Sequence, residues 1–184
     1  MKRSFKGSDS LVPNNILIND IYKNAINTHN GANMTAKAKV LFICQHNSGR
    51  SQIAEAYLRK LYGDHFEIES AGFEPAEEIN PLVVKVMKED DIDLTDKNPR
   101  SVFELFKSGK LYDHVITVCH DSESRCPIFP GITKRWHWPF PDPSVAEGNE
   151  SEKLEAVRKI RDMIKTWLVD PPEGTINFQS LMKS

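Results

Sequence analysis

A cysteine and an arginine six positions apart, Cys44 and Arg50, stand where an apolar run gives way to a helical pattern in KVLFICQHNSGRSQIAEAYL. A strand that turns sharply into a helix points successive backbone N–H groups into one concavity, and the helix N-terminus adds its partial positive charge. The connecting residues Gln45, His46, Asn47, Ser48 and Gly49 are polar or small. Asn47 and Gly49 suit the tight or left-handed conformations of such a loop. Arg50 contributes a planar fork of donors matched to a tetrahedral oxyanion, and the Ser51 hydroxyl is one more donor. Everything in the loop favours negative charge. Cys44 therefore reads as a nucleophile aimed at the central atom of an anion bound by residues 45–50.

A leaving oxygen needs a proton, and WPFPDPS offers Asp142, with prolines on both sides limiting its backbone freedom. The other two cysteines, Cys119 and Cys126, are separated by HDSESR. Seven positions is too wide for a Cys-x-x-Cys redox motif, and no second cysteine pair supports a four-cysteine zinc site. A metal site completed by His120 and His137 is the alternative, but nothing in the spacing singles it out. A thiol relay fits better. If arsenate is bound at Cys44, attack gives a thiol–arsenate adduct. Cys119 then attacks the Cys44 sulfur as arsenite leaves, and Cys126 attacks Cys119 to carry the disulfide outward. Each exchange needs Cα atoms about 4.4–6.8 Å apart, so the 120–125 segment must rearrange. Phosphate is not reduced this way, so two extra thiols have a purpose only with a reducible oxyanion.

Alternating strands and helices must hold these groups. KVLFIC, residues 39–44, reads as a strand covered on both faces, and residues 51–62 carry a helical apolar stripe stopped by Gly63. FEIES, 66–70, alternates like a strand. Pro81 opens a second helix, and 101–106 forms a short third. HVITVC, 114–119, repeats the buried-strand pattern ending in cysteine, and KRWHW, 134–138, is a fourth strand. A last helix begins at Glu152 and ends before Pro171-Pro172. This order predicts an α/β fold with a mainly parallel sheet, whose site lies beyond the carboxyl ends of the strands.

Length and composition set the frame. The 184 residues suit one domain, with 39% hydrophobic and 27% charged residues. A net charge of -2 gives no reason to expect nucleic acid or an anionic membrane as partner, and the longest apolar runs are strand-sized. Residues 1–33, rich in Asn and Ser, read as an extension, disordered or non-native, with an extra packed helix as the alternative. Residues 34–184 read as a single catalytic domain. Three cysteines and no signal-peptide pattern point to a reducing, cytoplasmic compartment.

The segments VLFICQHNSGRSQIAEAYL, ESAGFEP, VITVC followed by Cys126-Pro127, and HWPFPDP together resemble the arsenate reductases of the low-molecular-weight tyrosine phosphatase superfamily, over about residues 38–169. The resemblance implies a four-stranded parallel sheet flanked by helices, a flavodoxin-like three-layer sandwich. It implies no tightly bound cofactor, and thioredoxin or a comparable dithiol as external reductant. By that similarity Cys44 is the nucleophile, Arg50 and the 45–50 backbone bind the oxyanion, Ser51 tunes the thiol, Asp142 is the acid, and Cys119 and Cys126 are the redox pair. Some members bind potassium beside the loop, and Asn47, Glu55 and Ser70 stand where such ligands occur, although Val102 replaces the aspartate expected nearby. Ser144 and Val145 replace the tyrosine pair usual in the phosphatase branch. The competing expectations are a phosphatase hydrolysing aryl phosphates through a Cys44 phosphoenzyme, with Cys119 and Cys126 as bystanders, and a non-catalytic anion sensor.

Overall fold

The computed structural model describes residues 36–119, 128–129, 131 and 133–183. The expected extension, residues 1–33, lies outside them, as do His120 and Cys126.

Four strands form one sheet: β1 (Ala38–Cys44), β2 (Phe66–Gly72), β3 (His114–Thr117) and β4 (Lys134–His137). The order is β2-β1-β3-β4, and every neighbouring pair is parallel. The connections carry α1 (Arg50–Tyr62), α2 (Pro81–Lys88) and α3 (Val102–Lys107), followed after β4 by α4 (Glu150–Val169) and α5 (Phe178–Leu181). The α/β fold with a four-stranded parallel sheet is as expected. The residues alternating along β1 explain why it lies inside. Val40, Phe42 and Cys44 join the core shared with α1, α2 and α4, while Leu41 and Ile43 join a second cluster with Val102, Leu105 and Phe129. A parallel strand buried on both faces reads as a continuous apolar run, and this one does.

Local signals place the helix starts. Asn80 caps α2, its side chain accepting from Leu82 N at 2.9 Å, and Pro81 occupies the first turn, where no N–H is needed. Asn149 and Glu152 form a reciprocal capping box, so α4 begins at Glu150, two residues before the expected start. By contrast α1 follows Gly49 with no side-chain cap, which leaves its first amides for a ligand.

The boundaries that differ have physical reasons. β2 runs two residues beyond the expected 66–70, because Ala71 and Gly72 pair with Ile43 and Cys44. β3 ends at Thr117 rather than 119, so Cys119 lies two residues past the strand. α3 spans 102–107 rather than 101–106, with Ser101 as its cap residue. β4 stops at His137 because Trp138 turns fully into the core, where its Nε1 donates to Thr175 Oγ1 at 2.6 Å. The four-residue α5 has no strong periodicity in sequence; Phe178 anchors it against Phe42, Phe66 and Trp138.

Candidate active site

β1 delivers Cys44 to the carboxyl edge of the sheet, and residues 45–49 wrap around its sulfur before α1 begins. Asn47 adopts φ 51°, a left-handed conformation that asparagine tolerates, and its backbone N–H donates to Cys44 Sγ at 3.1 Å. Ser51 Oγ lies 3.0 Å from the same sulfur. The direction of that bond follows from the neighbours. Asn47 Nδ2 donates to Ser51 Oγ at 2.8 Å and to Ser70 Oγ at 2.9 Å. Ser51 therefore accepts from Asn47, and its own hydrogen is left for Cys44. Two donors converge on the sulfur.

Close packing holds the loop. A Cβ on Gly72 would lie 2.7 Å from Asn47 N and 2.8 Å from Gln45 O, so only glycine lets β2 end against the loop. Gly49 is required for a different reason from the one expected: its φ of -140° is not left-handed, but a Cβ there would meet Pro143 Cγ at 2.7 Å. Phe73, Glu74 and Ala76 donate backbone bonds to the carbonyls of Cys44, Gln45 and His46, and Asn80 N donates to Ser48 O at 2.9 Å.

Arg50 is 6% exposed. Its Nη1 donates to Phe140 O at 3.2 Å, and its Nη2 to Asp142 Oδ2 at 2.5 Å. The other Asp142 oxygen caps the turn Pro143–Val145, accepting from Ser144 N at 2.9 Å and Ser144 Oγ at 2.7 Å. Burial works to raise the Asp142 pKa, but the Ser144 bonds and the Arg50 charge outweigh it and hold the carboxyl below its ordinary value. In this arrangement Asp142 is a carboxylate with no proton to give. The cleft over Cys44 has a volume of only about 10 Å³, and the paired Arg50 and Asp142 are part of its lining. A hollow of about 720 Å³ along the outer edge of β2 is larger, but its Arg59, Lys97, Arg100 and Lys110 pair with Glu55 and Glu69, so its charges satisfy one another. The chemistry marks the smaller cleft.

Cys119 is buried and joins the same core cluster as Cys44. Ile43 pairs with Thr117, and Val118 N donates to Ile43 O at 2.8 Å. Cys119 is thus one register step beyond the position opposite Cys44. β3 leads Cys119 to the same carboxyl edge of the sheet at which β1 ends in Cys44. Neither is in a disulfide among the described residues. The third, Cys126, falls outside the described residues. His137 Nδ1 lies 2.8 Å from Thr117 Oγ1, and no metal-binding cluster occurs among the described residues.

The potassium-site residues Asn47, Glu55 and Ser70 do meet. Ser70 Oγ donates to Glu55 Oε2 at 2.6 Å. Yet the Glu55 carboxylate already faces Arg59 at 2.8 Å, Lys97 at 3.1 Å and Arg100 at 3.3 Å. Val102, where an aspartate was expected, is fully buried and apolar. With three side-chain cations around one carboxylate, the site does not fit a further cation. Burial works to raise the Glu55 pKa, but the Ser70 hydrogen bond and the Lys97 and Arg100 charges hold it below its ordinary value of 4.5. Such a carboxyl contributes stability that is present above its unfolded pKa and lost as pH falls through the folded one. The melting temperature is expected to fall as pH drops below about 4.5, and less steeply in Glu55→Gln. Equal slopes in the two proteins would remove Glu55 from that account.

Asn80, Glu74 and Arg100 are parts of this framework that sequence reasoning did not find. Arg100 N donates to Asn47 Oδ1 at 2.7 Å and so fixes the amide that orients Ser51. The ESAGFEP segment carried a signal for Glu74; Asn80 before Pro81 read only as a helix start, and nothing near Arg100 marked it.

A Cys-x5-Arg-Ser loop at the carboxyl end of a four-stranded parallel sheet, faced by an aspartate on a proline-bounded turn, defines a phosphatase-like oxyanion site. The family model for low molecular weight phosphotyrosine protein phosphatase matches residues 39–170, and the chain belongs to that family. Within it, the arsenate reductase of Bacillus licheniformis is 40% identical over 131 residues, covering 70% of this chain and 91% of that protein. A solved thioredoxin-dependent arsenate reductase of Corynebacterium glutamicum is 33% identical with a TM-score of 0.51, covering 80% of this chain and 70% of that one. A solved arsenate reductase in its phosphate-binding state is 26% identical with a TM-score of 0.56, covering 70% of this chain and 91% of that one.

Proposed function

We propose that this protein is an arsenate reductase that converts arsenate to arsenite by a thiol relay. Arg50 leaves Asp142 to receive the anion, and the 45–50 amides and the α1 N-terminus bind its oxygens. The Cys44 thiolate attacks arsenic, and an oxygen departs as water. A bound dianion beside Asp142 opposes its negative charge, which restores the proton it then gives to that oxygen. The Cys119 thiolate attacks Cys44 Sγ; the S–As bond breaks, its electron pair stays on arsenic, and arsenite leaves. Cys126 attacks Cys119, freeing Cys44, and an external dithiol of the thioredoxin kind reduces the Cys119–Cys126 disulfide. No resident cofactor enters the cycle.

The observation that supports this reading is that Cys119 follows β3, the strand paired with β1, and is buried in the same core cluster as Cys44. The phosphatase reading draws on Cys44, Arg50 and Asp142 alone and leaves that placement unused. Thioredoxin, thioredoxin reductase and NADPH test the proposal together: arsenate-dependent NADPH consumption is expected, and none across a range of dithiol donors would overturn it. We take residues 34–184 as one catalytic domain working in the cytoplasm, with residues 1–33 outside it. No helix among the described residues is long and apolar enough to cross a membrane.

A further inference from the structure

One side chain of the anion loop is placed for a task that backbone amides do not perform. His46 lines the cleft over Cys44 with Arg50, Asn80 and Asp142. Its Nδ1 lies 2.9 Å from the carbonyl oxygen of Glu74. A carbonyl only accepts, so in the neutral ring Nδ1 carries the hydrogen and Nε2 the lone pair. The main chain is tied to the same segment, Ala76 N donating to His46 O at 3.0 Å. Nε2 has no hydrogen-bond partner among the described residues.

The rest of the cleft supplies donors: the loop amides, the Arg50 fork and the first turn of α1. Most of its acceptors are engaged while the cleft is empty, and Asp142, once Arg50 leaves it for the anion, regains a proton and becomes a donor. Asp142 Oδ1 takes both Ser144 donors, Oδ2 takes Arg50, Asn80 Oδ1 takes Leu82 N, and Ser48 O takes Asn80 N. A donor cradle suits a fully deprotonated tetrahedral anion. A monoprotonated one brings a hydroxyl whose hydrogen needs an acceptor, and leaving it without one costs binding.

We propose that His46 is a specificity residue: its Nε2 accepts the hydroxyl hydrogen of a bound monoprotonated oxyanion, so the loop prefers hydrogen arsenate and hydrogen phosphate to sulfate. The inference rests on the reading of residues 45–50 as an oxyanion site. Sulfate carries no hydrogen near neutral pH and turns oxygen lone pairs toward the nitrogen lone pair, so one group both attracts the right anion and rejects the wrong one.

The test is protection of Cys44 from iodoacetamide in the reduced full-length protein, under slightly alkaline conditions, read by peptide mass spectrometry. Inorganic phosphate and inorganic sulfate are the protectants. Phosphate is expected to protect the wild type at a concentration at least about tenfold lower than sulfate, the size of one charge-assisted hydrogen bond. His46→Asn keeps a donor near the Nδ1 position for Glu74 but has nothing at Nε2, and is expected to bring the two anions within about threefold. His46→Gln reaches to the Nε2 position with an amide oxygen and is expected to keep most of the preference. An unchanged ratio in His46→Asn overturns the proposal, as does equal protection of the wild type by both anions, and either result leaves the oxyanion site standing. If neither anion protects the wild type, the oxyanion reading falls and this inference with it.

Discussion

Cys119→Ser is expected to lower arsenate-dependent NADPH oxidation by at least about a thousandfold, because residues that act as a unit in a relay lose nearly all turnover when one is removed. The fold has little reason to change. Cys119 lies two residues past β3, and serine fills almost the same volume among its neighbours. The step that fails is specific. Arsenic is reduced only when a second sulfur attacks Cys44 Sγ and the S–As electron pair stays behind, and a serine hydroxyl is no nucleophile for sulfur. Hydrolysis of an aryl phosphate, which needs only Cys44, Arg50 and Asp142, is expected to stay within a few-fold of whatever rate the wild type shows. Parallel kinetics with both substrates check this, with mass spectrometry of the wild type after arsenate turnover without reductant. A Cys119–Cys126 disulfide is expected to accumulate there. Turnover in Cys119→Ser within tenfold of wild type would remove Cys119 from the relay.

Arg50→Lys, although it keeps the charge, is expected to lower kcat/KM for arsenate by at least about a hundredfold, the scale seen when one preorganised oxyanion donor is lost. Arg50 sits nearly buried at the start of α1, one arm of its guanidinium on Phe140 O and the other on Asp142. A planar fork can stay anchored on the carbonyl while its other arm passes from carboxylate to substrate. An ammonium is a point charge on a flexible stem and has no such fixed geometry. Lysine also leaves Asp142 a cationic partner, so the loss is expected in catalysis rather than in folding. Thermal melts beside steady-state kinetics separate the two. A variant that melts like wild type and turns over within tenfold of it would mean that charge alone, and not the fork, holds the oxyanion.

Much of this site was legible because its signals are local. The run KVLFIC is apolar at every position where β1 is covered on both faces, and the switch to helical spacing after Gly49 marks the turn that holds the anion loop. The type and spacing of Cys44, Arg50 and Ser51 carry their chemistry wherever the chain folds this way. Asn47 was legible as a left-handed residue for the same reason. Strand and helix ends were less so. β2 runs on through Ala71 and Gly72 because β1 supplies partners, and β4 stops where Trp138 finds a core position, facts about neighbours distant in the chain.

By itself the amino-acid order determined the fold class, the candidate nucleophile with its loop, and the three thiols that make reduction a coherent proposal. Burial pattern, turn chemistry and side-chain type act over a few residues and are written directly in the chain. Only the tertiary structure decided that β3, which leads to Cys119, lies beside β1, which ends at Cys44. It alone decided that Asp142 stands as a carboxylate against Arg50, and that Lys97, Arg59 and Arg100 gather on Glu55, one of the weak potassium-ligand candidates. Those are pairings between residues 4 to 92 positions apart. Electrostatic energy depends on distance in space and on burial, and spacing along the chain encodes neither.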